Sequence, residues 1–216
     1  MFGLPEQSIE QALADLETGM ALRPSHLSWY QLTIEPNTAF HSRPPRLPVD
    51  GRVAQMQELG LPLLAAAGFE RYEVSAYSQA GRHSRHNLNY WQFGDYLGIG
   101  AGAHGKVSDP ASGEIIRSRK KKQPAHYLSS SVDRTAERLV VSEDERPFEF
   151  LLNALRLRRG FSIDEFEKRT GVTFSSIGKK VEYLSAQDLL DVTNGQITTT
   201  ERGYRLLNNL LEEFLD

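Results

Sequence analysis

The sequence has no cysteine. It forms no disulfide, and it offers no thiolate to zinc or to an iron–sulfur cluster. It has no apolar run near the roughly 20 residues that cross a bilayer, and no secretory leader pattern opens it. The cytoplasm is the expected location. A charge excess is missing too: 25 Lys and Arg stand against 28 Asp and Glu, a net of −3. That balance gives no global attraction to nucleic acid or to an anionic membrane. The 216 residues, 39% hydrophobic, suffice for one large domain or two small ones.

What is present concentrates between Arg82 and Lys106, RHSRHNLNYWQFGDYLGIGAGAHGK. Polar rings, amides and aromatics crowd into His86–Trp91. Tyr96 to Gly105 then interleaves glycine and alanine with apolar residues. Each glycine in a strand costs backbone entropy and packs nothing, so glycines there admit a ligand or another backbone. Two readings stand. HNLNYW is a buried turn, with Asn87 and Asn89 bonding backbone and Trp91 in the core; or it leads into a bare strand and lines a flat, wide pocket.

The start reads as the end of a buried strand, Met1-Phe2, followed by the turn Gly3-Leu4-Pro5. Ser8 and Gln11 are spaced as a capping box. Ile9, Leu13, Leu16 and Met20 predict an amphipathic helix over 9–22, and Leu27 to Ile34 a strand. That order makes a βαβ unit, hence a parallel sheet. Prolines 36, 44, 45 and 48 mark a long loop over 35–49. A helix follows from about Arg52 to Ala67, capped by Asp50 and kinked or broken at Pro62. Glu70 to Tyr77 is the next strand. Residues 107–119 predict a hairpin, and 117–122 a basic run that is either solvated or binds carboxylate or phosphate.

From Ser142 the pattern turns helical. Glu143 to Arg159 is a helix with Phe148, Leu151, Leu152 and Leu155 on one face. Ser162 to Glu165 is a second capping box, 175–185 another helix, and Asn194-Gly195 a hairpin turn. Thr200 caps a last helix with Tyr204, Leu207, Leu211 and Phe214 inward. Three helices, a hairpin and a helix are the order of a winged helix, which suggests nucleic-acid or protein docking. Charge argues against nucleic acid: residues 142–216 carry 10 basic and 14 acidic side chains, where a duplex binder needs a basic face.

GLPEQS (3–8), LSWYQLTIEPNT (27–38), YEVSAYS (72–78) and HNLNYWQFGDYLGIGAGAHGK (86–106) together resemble the HemW family. These are radical-SAM heme chaperones related to oxygen-independent coproporphyrinogen III oxidase. The resemblance implies an α/β fold: the C-terminal part of a partial (β/α)6 radical-SAM barrel over residues 1–141, then a small winged-helix-like α+β domain over 142–216. It places the family's cluster cysteines and Gly-rich S-adenosylmethionine loop before Met1, so the chain reads as the back part of a longer protein. The intact family member holds a 4Fe-4S cluster and S-adenosylmethionine. This chain alone is expected to bind no cluster and to be catalytically silent.

The family's HNxxYW motif is linked to heme binding and carries over to His86, Asn87, Tyr90 and Trp91. His86 is then the candidate ligand of heme iron, Tyr90 and Trp91 pack against the porphyrin, and Arg82, Arg85 or the 117–122 run pairs with propionates. Gly3, Leu4, Pro5, Thr33, Gly98, Gly100, Gly102 and His104 are expected to border the S-adenosylmethionine pocket at the carboxyl ends of the strands. His104 reads equally as a packed structural residue. The implied partners are heme and acceptor hemoproteins, a membrane-associated acceptor included. Fragment of a coproporphyrinogen III oxidase is the rival reading. A truncated sheet edge invites self-association, with residues 1–6 frayed or covered by a neighbour.

Overall fold

The computed structural model describes residues 1–129 and 133–215 and divides into two compact units, Met1–Ser84 and Arg85–Asp216. The boundary expected at 141/142 therefore lies inside the second unit, just past a strand.

In the first unit Ser8 Oγ accepts from the Gln11 N–H, and Gln11 Oε1 accepts from the Ser8 N–H. This capping box starts α1 (Ile9–Ala21). Its Ala12 and Leu16 pack with Val53, Met56 and Leu64 of a later helix, around Phe2 and Trp29. The chain's first residues are not frayed. The Phe2 N–H donates to the Tyr30 carbonyl (3.0 Å), and the Leu32 N–H donates to the Phe2 carbonyl (2.9 Å). Phe2 and Gln31 thus form an isolated parallel bridge, as the βαβ reading requires.

The rest of that reading is corrected. The strand expected over 27–34 is the short β1 (His26–Ser28). After α2 (Ala39–Ser42), inside the proline-rich loop, and α3 (Asp50–Ala66), the strand expected over 70–77 is a hairpin. It consists of β2 (Glu70–Arg71) and β3 (Ala76–Ser78), and the sheet order β1-β3-β2 is antiparallel throughout. The cause is the turn between β2 and β3. The Arg71 guanidinium donates to the Val74 carbonyl, and the buried Glu73 carboxylate accepts from the Ser75 N–H and hydroxyl. Folded back by those bonds, the chain runs against β1.

Asp50 does not cap α3; it is the first helical residue, where its charge favours the helix N-terminus. The helix continues through Pro62 without a break. Gly60 packs against Trp29, and a Cβ there would overlap the indole ring.

The second unit opens with α4 (Arg85–Trp91), a helix and not the buried turn of one reading. Next come β4 (His104–Ser108), β5 (Ile115–Lys120), α5 (Pro124–Ser129) and β6 (Thr135–Val140). The three strands form an antiparallel sheet in the order β4-β5-β6, with the expected hairpin turn at 109–113. The basic run is thus largely strand β5 and not a loop.

α6 is Arg146–Ala154, shorter than expected, and buries Pro147, Phe150, Leu151 and Ala154. Phe148 is only half-buried and Leu152 is exposed. Phe150 sets that phase: its ring meets Phe93, Phe161 and Phe166, all edge-to-face.

β7 (Phe161–Ser162) leads into α7 (Ile163–Thr170), started by the second capping box, then α8 (Ser175–Ala186) with Ile177, Val181 and Leu184 inward. β8 (Leu190–Thr193) and β9 (Gln196–Thr199) close on Asn194 and Gly195, both at positive φ as a type I′ turn requires. The tail expected as one helix is two, α9 (Glu201–Arg205) and α10 (Leu207–Glu212), capped by Thr200 and still burying Tyr204, Leu207, Leu211 and Phe214.

Gly60→Ala should lower the unfolding free energy by about 1–3 kcal/mol through overpacking against Trp29, although Ala gains ~1 kcal/mol of helix propensity over Gly. Denaturant titration measures this; an unchanged midpoint would contradict the close packing of α3 on Trp29.

Candidate functional site

α4 is only seven residues long, and its end is specified locally. The Phe93 N–H donates to Tyr90 O (2.9 Å) and the Gly94 N–H to Asn89 O (2.7 Å), with Phe93 in the left-handed region. The Asn89 side-chain amide donates to the Asp95 carbonyl at 2.9 Å. Gly94 lies so close to Asn89 that a Cβ would strike its amide.

Helical spacing then sorts the motif. His86 and Tyr90, four apart, share one side, with ring centroids 4.9 Å apart and edge-to-face at 65°. Tyr90 in turn meets Tyr96 at 4.4 Å. Asn87 and Trp91 share the adjacent side. Trp91 is half-buried, and the Arg156 guanidinium lies over its ring at 4.3 Å. Its indole N–H is buried without a hydrogen-bond partner. The structure therefore brings His86 and Tyr90 together and sets Trp91 apart, stacked on the residue just past α6. His86 itself is exposed.

The glycine stretch after α4 is a loop and not a strand. Tyr96 and Lys106 close it with reciprocal backbone bonds of 2.8 and 2.9 Å. Within it, a Cβ on Gly98 would collide with the His104 carbonyl. Gly98 thus admits another stretch of backbone, one of the two uses that glycine permits. The Gly100 N–H donates to Tyr127 Oη (3.1 Å) and the Gly102 N–H to the Lys121 carbonyl (2.9 Å). Leu97 and Ile99 stand 78% and 84% exposed. His104 is exposed at the start of β4, so it is not a packed core histidine.

The residue that holds this block together is Lys106, which sequence reasoning passed over. It is 2% exposed. Its Nζ donates to the Phe93 carbonyl (3.0 Å), Asp95 Oδ1 (2.9 Å) and Ser108 Oγ (3.4 Å), and lies 4.0 Å from the Phe93 ring centroid. Burial pushes its pKa down, against the Asp95 carboxylate that holds it up. Burial likewise opposes the Asp95 charge, but the Ser108 N–H, the Lys106 ammonium and the Ser108 hydroxyl overcome it and leave that pKa lowered. No local pattern marks it: alternation through β4 places Lys106 with the exposed His104, while Gly105 and Lys106 are buried in succession.

Arg117 of β5 was expected in a solvated or anion-binding run. Its Nε and Nη2 donate to Glu149 Oε2 of α6 (3.0 and 2.5 Å) and its Nη1 to Tyr96 Oη (3.1 Å). Arg119 pairs with Glu137 at 3.2 Å, and Lys120 donates to Thr135 Oγ1 at 3.0 Å.

The remaining predicted residues lie in the first unit. Gly3 is buried at positive φ, Leu4 is half-buried, and Pro5 and Thr33 are exposed. Because the Phe2–Gln31 bridge is parallel, the Gly3–Pro5 turn and Thr33 leave it in the same direction. Glu6, Arg46, Leu47, Pro48 and Arg52 line a cleft of about 220 Å³ beside that turn. Gly98, Gly100, Gly102 and His104 belong to the second unit.

The HemN C-terminal domain family matches residues 141–206. Two proteins named Heme chaperone HemW, from Haemophilus influenzae and Escherichia coli, are each 46% identical to the chain over all of it. The chain resembles the C-terminal part of HemW. It spans 55% and 56% of those two relatives, about half their length. HemW of Bacillus subtilis is 28% identical, again over the whole chain. Among solved structures, Escherichia coli coproporphyrinogen III oxidase (HemN), described as a radical SAM enzyme, matches with a TM-score of 0.75 over 99% of this chain and 53% of its own. At 16% identity that likeness shows the α/β fold alone.

Lys106→Ala should cost about 2–4 kcal/mol, as a cavity opens, the Phe93 carbonyl loses its side-chain donor and Asp95 loses its ammonium partner while keeping Ser108. Lys106→Met, which keeps the volume, should cost less. Asp95 contributes stability that is complete above its ordinary pKa of 3.8 and lost as pH falls through its lower folded value. Thermal unfolding between pH 2 and 7 reads both, and Lys106→Ala should flatten that acid limb.

Proposed function

We propose that this chain carries the heme-holding part of a heme chaperone, with heme as cargo bound at α4 and passed to acceptor hemoproteins. The observation that carries the reading is His86, exposed on α4 with its ring edge against Tyr90. An exposed imidazole propped by an aromatic ring fits an axial ligand of heme iron, and the Tyr90–Tyr96 pair offers flat apolar surface to a porphyrin. Arg85, exposed beside His86, is the better propionate partner. Arg117 and Arg119 are already engaged with carboxylates. Trp91 acts chiefly through Arg156, anchoring α4. The names of two relatives matched over the whole of this chain favour a chaperone over an oxidase.

A 4Fe-4S cluster does not fit this chain's residues. The chain has no cysteine, and the described residues contain no group of three or more His, Asp or Glu placed to hold a metal ion. S-adenosylmethionine is assigned to the intact protein, with Gly3, Leu4, Pro5 and Thr33 as this chain's candidate contribution. A membrane-associated acceptor is among the proposed partners; no helix of the described residues is long and apolar enough to cross a membrane.

Hemin titrated into the chain should give a shifted Soret band, and His86→Ala should abolish or move it. His104→Ala should change it little. His83, whose ring stacks on Tyr72 at 4.5 Å, should also be dispensable. Identical spectra for wild type and His86→Ala would end the assignment. Reconstitution with iron and sulfide, followed by S-adenosylmethionine, should release no 5′-deoxyadenosine; turnover would refute the catalytic silence.

A further inference from the structure

We infer that Tyr96 and Arg117 are positioning residues for the His86 imidazole, and that Glu149 on α6 holds them in place. The inference rests on the reading of His86 as iron ligand, and nothing in the family motif contains these three residues.

An axial imidazole works through its orientation, and a histidine on an exposed helix has two torsions to lose. His86 touches Tyr90 edge-on, and Tyr90 is backed by Tyr96. Tyr96 lies outside α4 and is closed on Lys106 by two backbone bonds. Its hydroxyl accepts from Arg117, whose other donors grip Glu149. A planar guanidinium serves both partners at once, one edge on a carboxylate and the remaining nitrogen on a phenol; a lysine ammonium has no such fork. Burial works against the Arg117 charge, but Glu149 and the Tyr96 oxygen more than offset it and keep the group cationic. The ladder therefore runs from α4 through the Tyr96 loop and β5 to α6. Glu149 lies within residues 141–206, so the C-terminal domain reaches the ligand ring through it.

The test uses the whole chain loaded with hemin, apomyoglobin as heme acceptor, and low-temperature EPR of the ferric form. Tyr96→Phe keeps the ring that backs Tyr90 and removes only the hydroxyl. Arg117→Lys keeps the charge beside Glu149 and removes the fork. Each should speed heme loss to apomyoglobin about three- to tenfold, the worth of one hydrogen bond. Each should also broaden the spread of the ferric g values, a readout that plain loss of stability does not move. The double variant should be no faster than Arg117→Lys, because both changes remove one shared contact. Glu149→Gln should act in the same direction, more weakly. The inference is overturned by wild-type rates and spectra in both single variants, or by a double variant whose effect is their product, while His86→Ala still loses the Soret band. If His86→Ala keeps the band, the ligand assignment itself fails and this inference falls with it.

Discussion

A lysine ammonium buried to 2% exposure is the constraint on which the candidate site depends. A charge in that position persists only when its donors are satisfied. Lys106 finds a carbonyl, a carboxylate, a hydroxyl and an aromatic face, and three of those four come from Phe93 and Asp95, just after α4. The end of α4 is thereby tied to the middle of β4. The loop between them must close on itself, and Tyr96 is held opposite Lys106 as a consequence. Remove the ammonium and the exit of the short helix keeps only its local bonds, to the Tyr90 and Asn89 carbonyls and from the Asn89 amide. Seven residues are too few for a helix to be stable on intrinsic propensity.

Once the exit of α4 is set, its two sides acquire separate work. One presents His86 and Tyr90 towards the Tyr96 loop; the other turns Trp91 to Arg156. A four-residue spacing within a motif of six explains why adjacent aromatic residues do not share a role. In the proposed function, the same division separates cargo contact from anchoring. The glycines that follow allow backbone to approach backbone at Gly98, while Leu97 and Ile99 remain outside.

The first unit has its own organising turn. Arg71, Glu73 and Ser75 fold what looks like one strand into a hairpin, and the sheet becomes antiparallel around it. Only at Phe2 and Gln31 does the parallel pairing expected of a βαβ unit survive. The buried Glu73 is what a strand pattern hides: read by alternation it is a solvent-facing residue, whereas here it satisfies the turn's own donors.

What the amino-acid order determined by itself was much, though not all, of what rests on partners three or four residues away. The capping boxes at Ser8 and Ser162, the Thr200 cap, the Asn194-Gly195 turn and the inward residues of α8 and the tail were legible, because the bonds and periods involved are local; of the four named for α1, Leu16 is buried, Ile9 and Met20 pack half-buried, and Ala12 takes the place expected of Leu13. The candidate ligand His86 was legible as a motif, and its exposure was not. Lys106, Arg117, Glu149 and Arg156 took their roles from neighbours 11 to 65 positions away. Their charges look solvated in sequence, since nothing local marks a partner. Only tertiary structure decided which charge is buried, which is paired and which ring it covers, because desolvation and pairing depend on what the fold brings within about 4 Å.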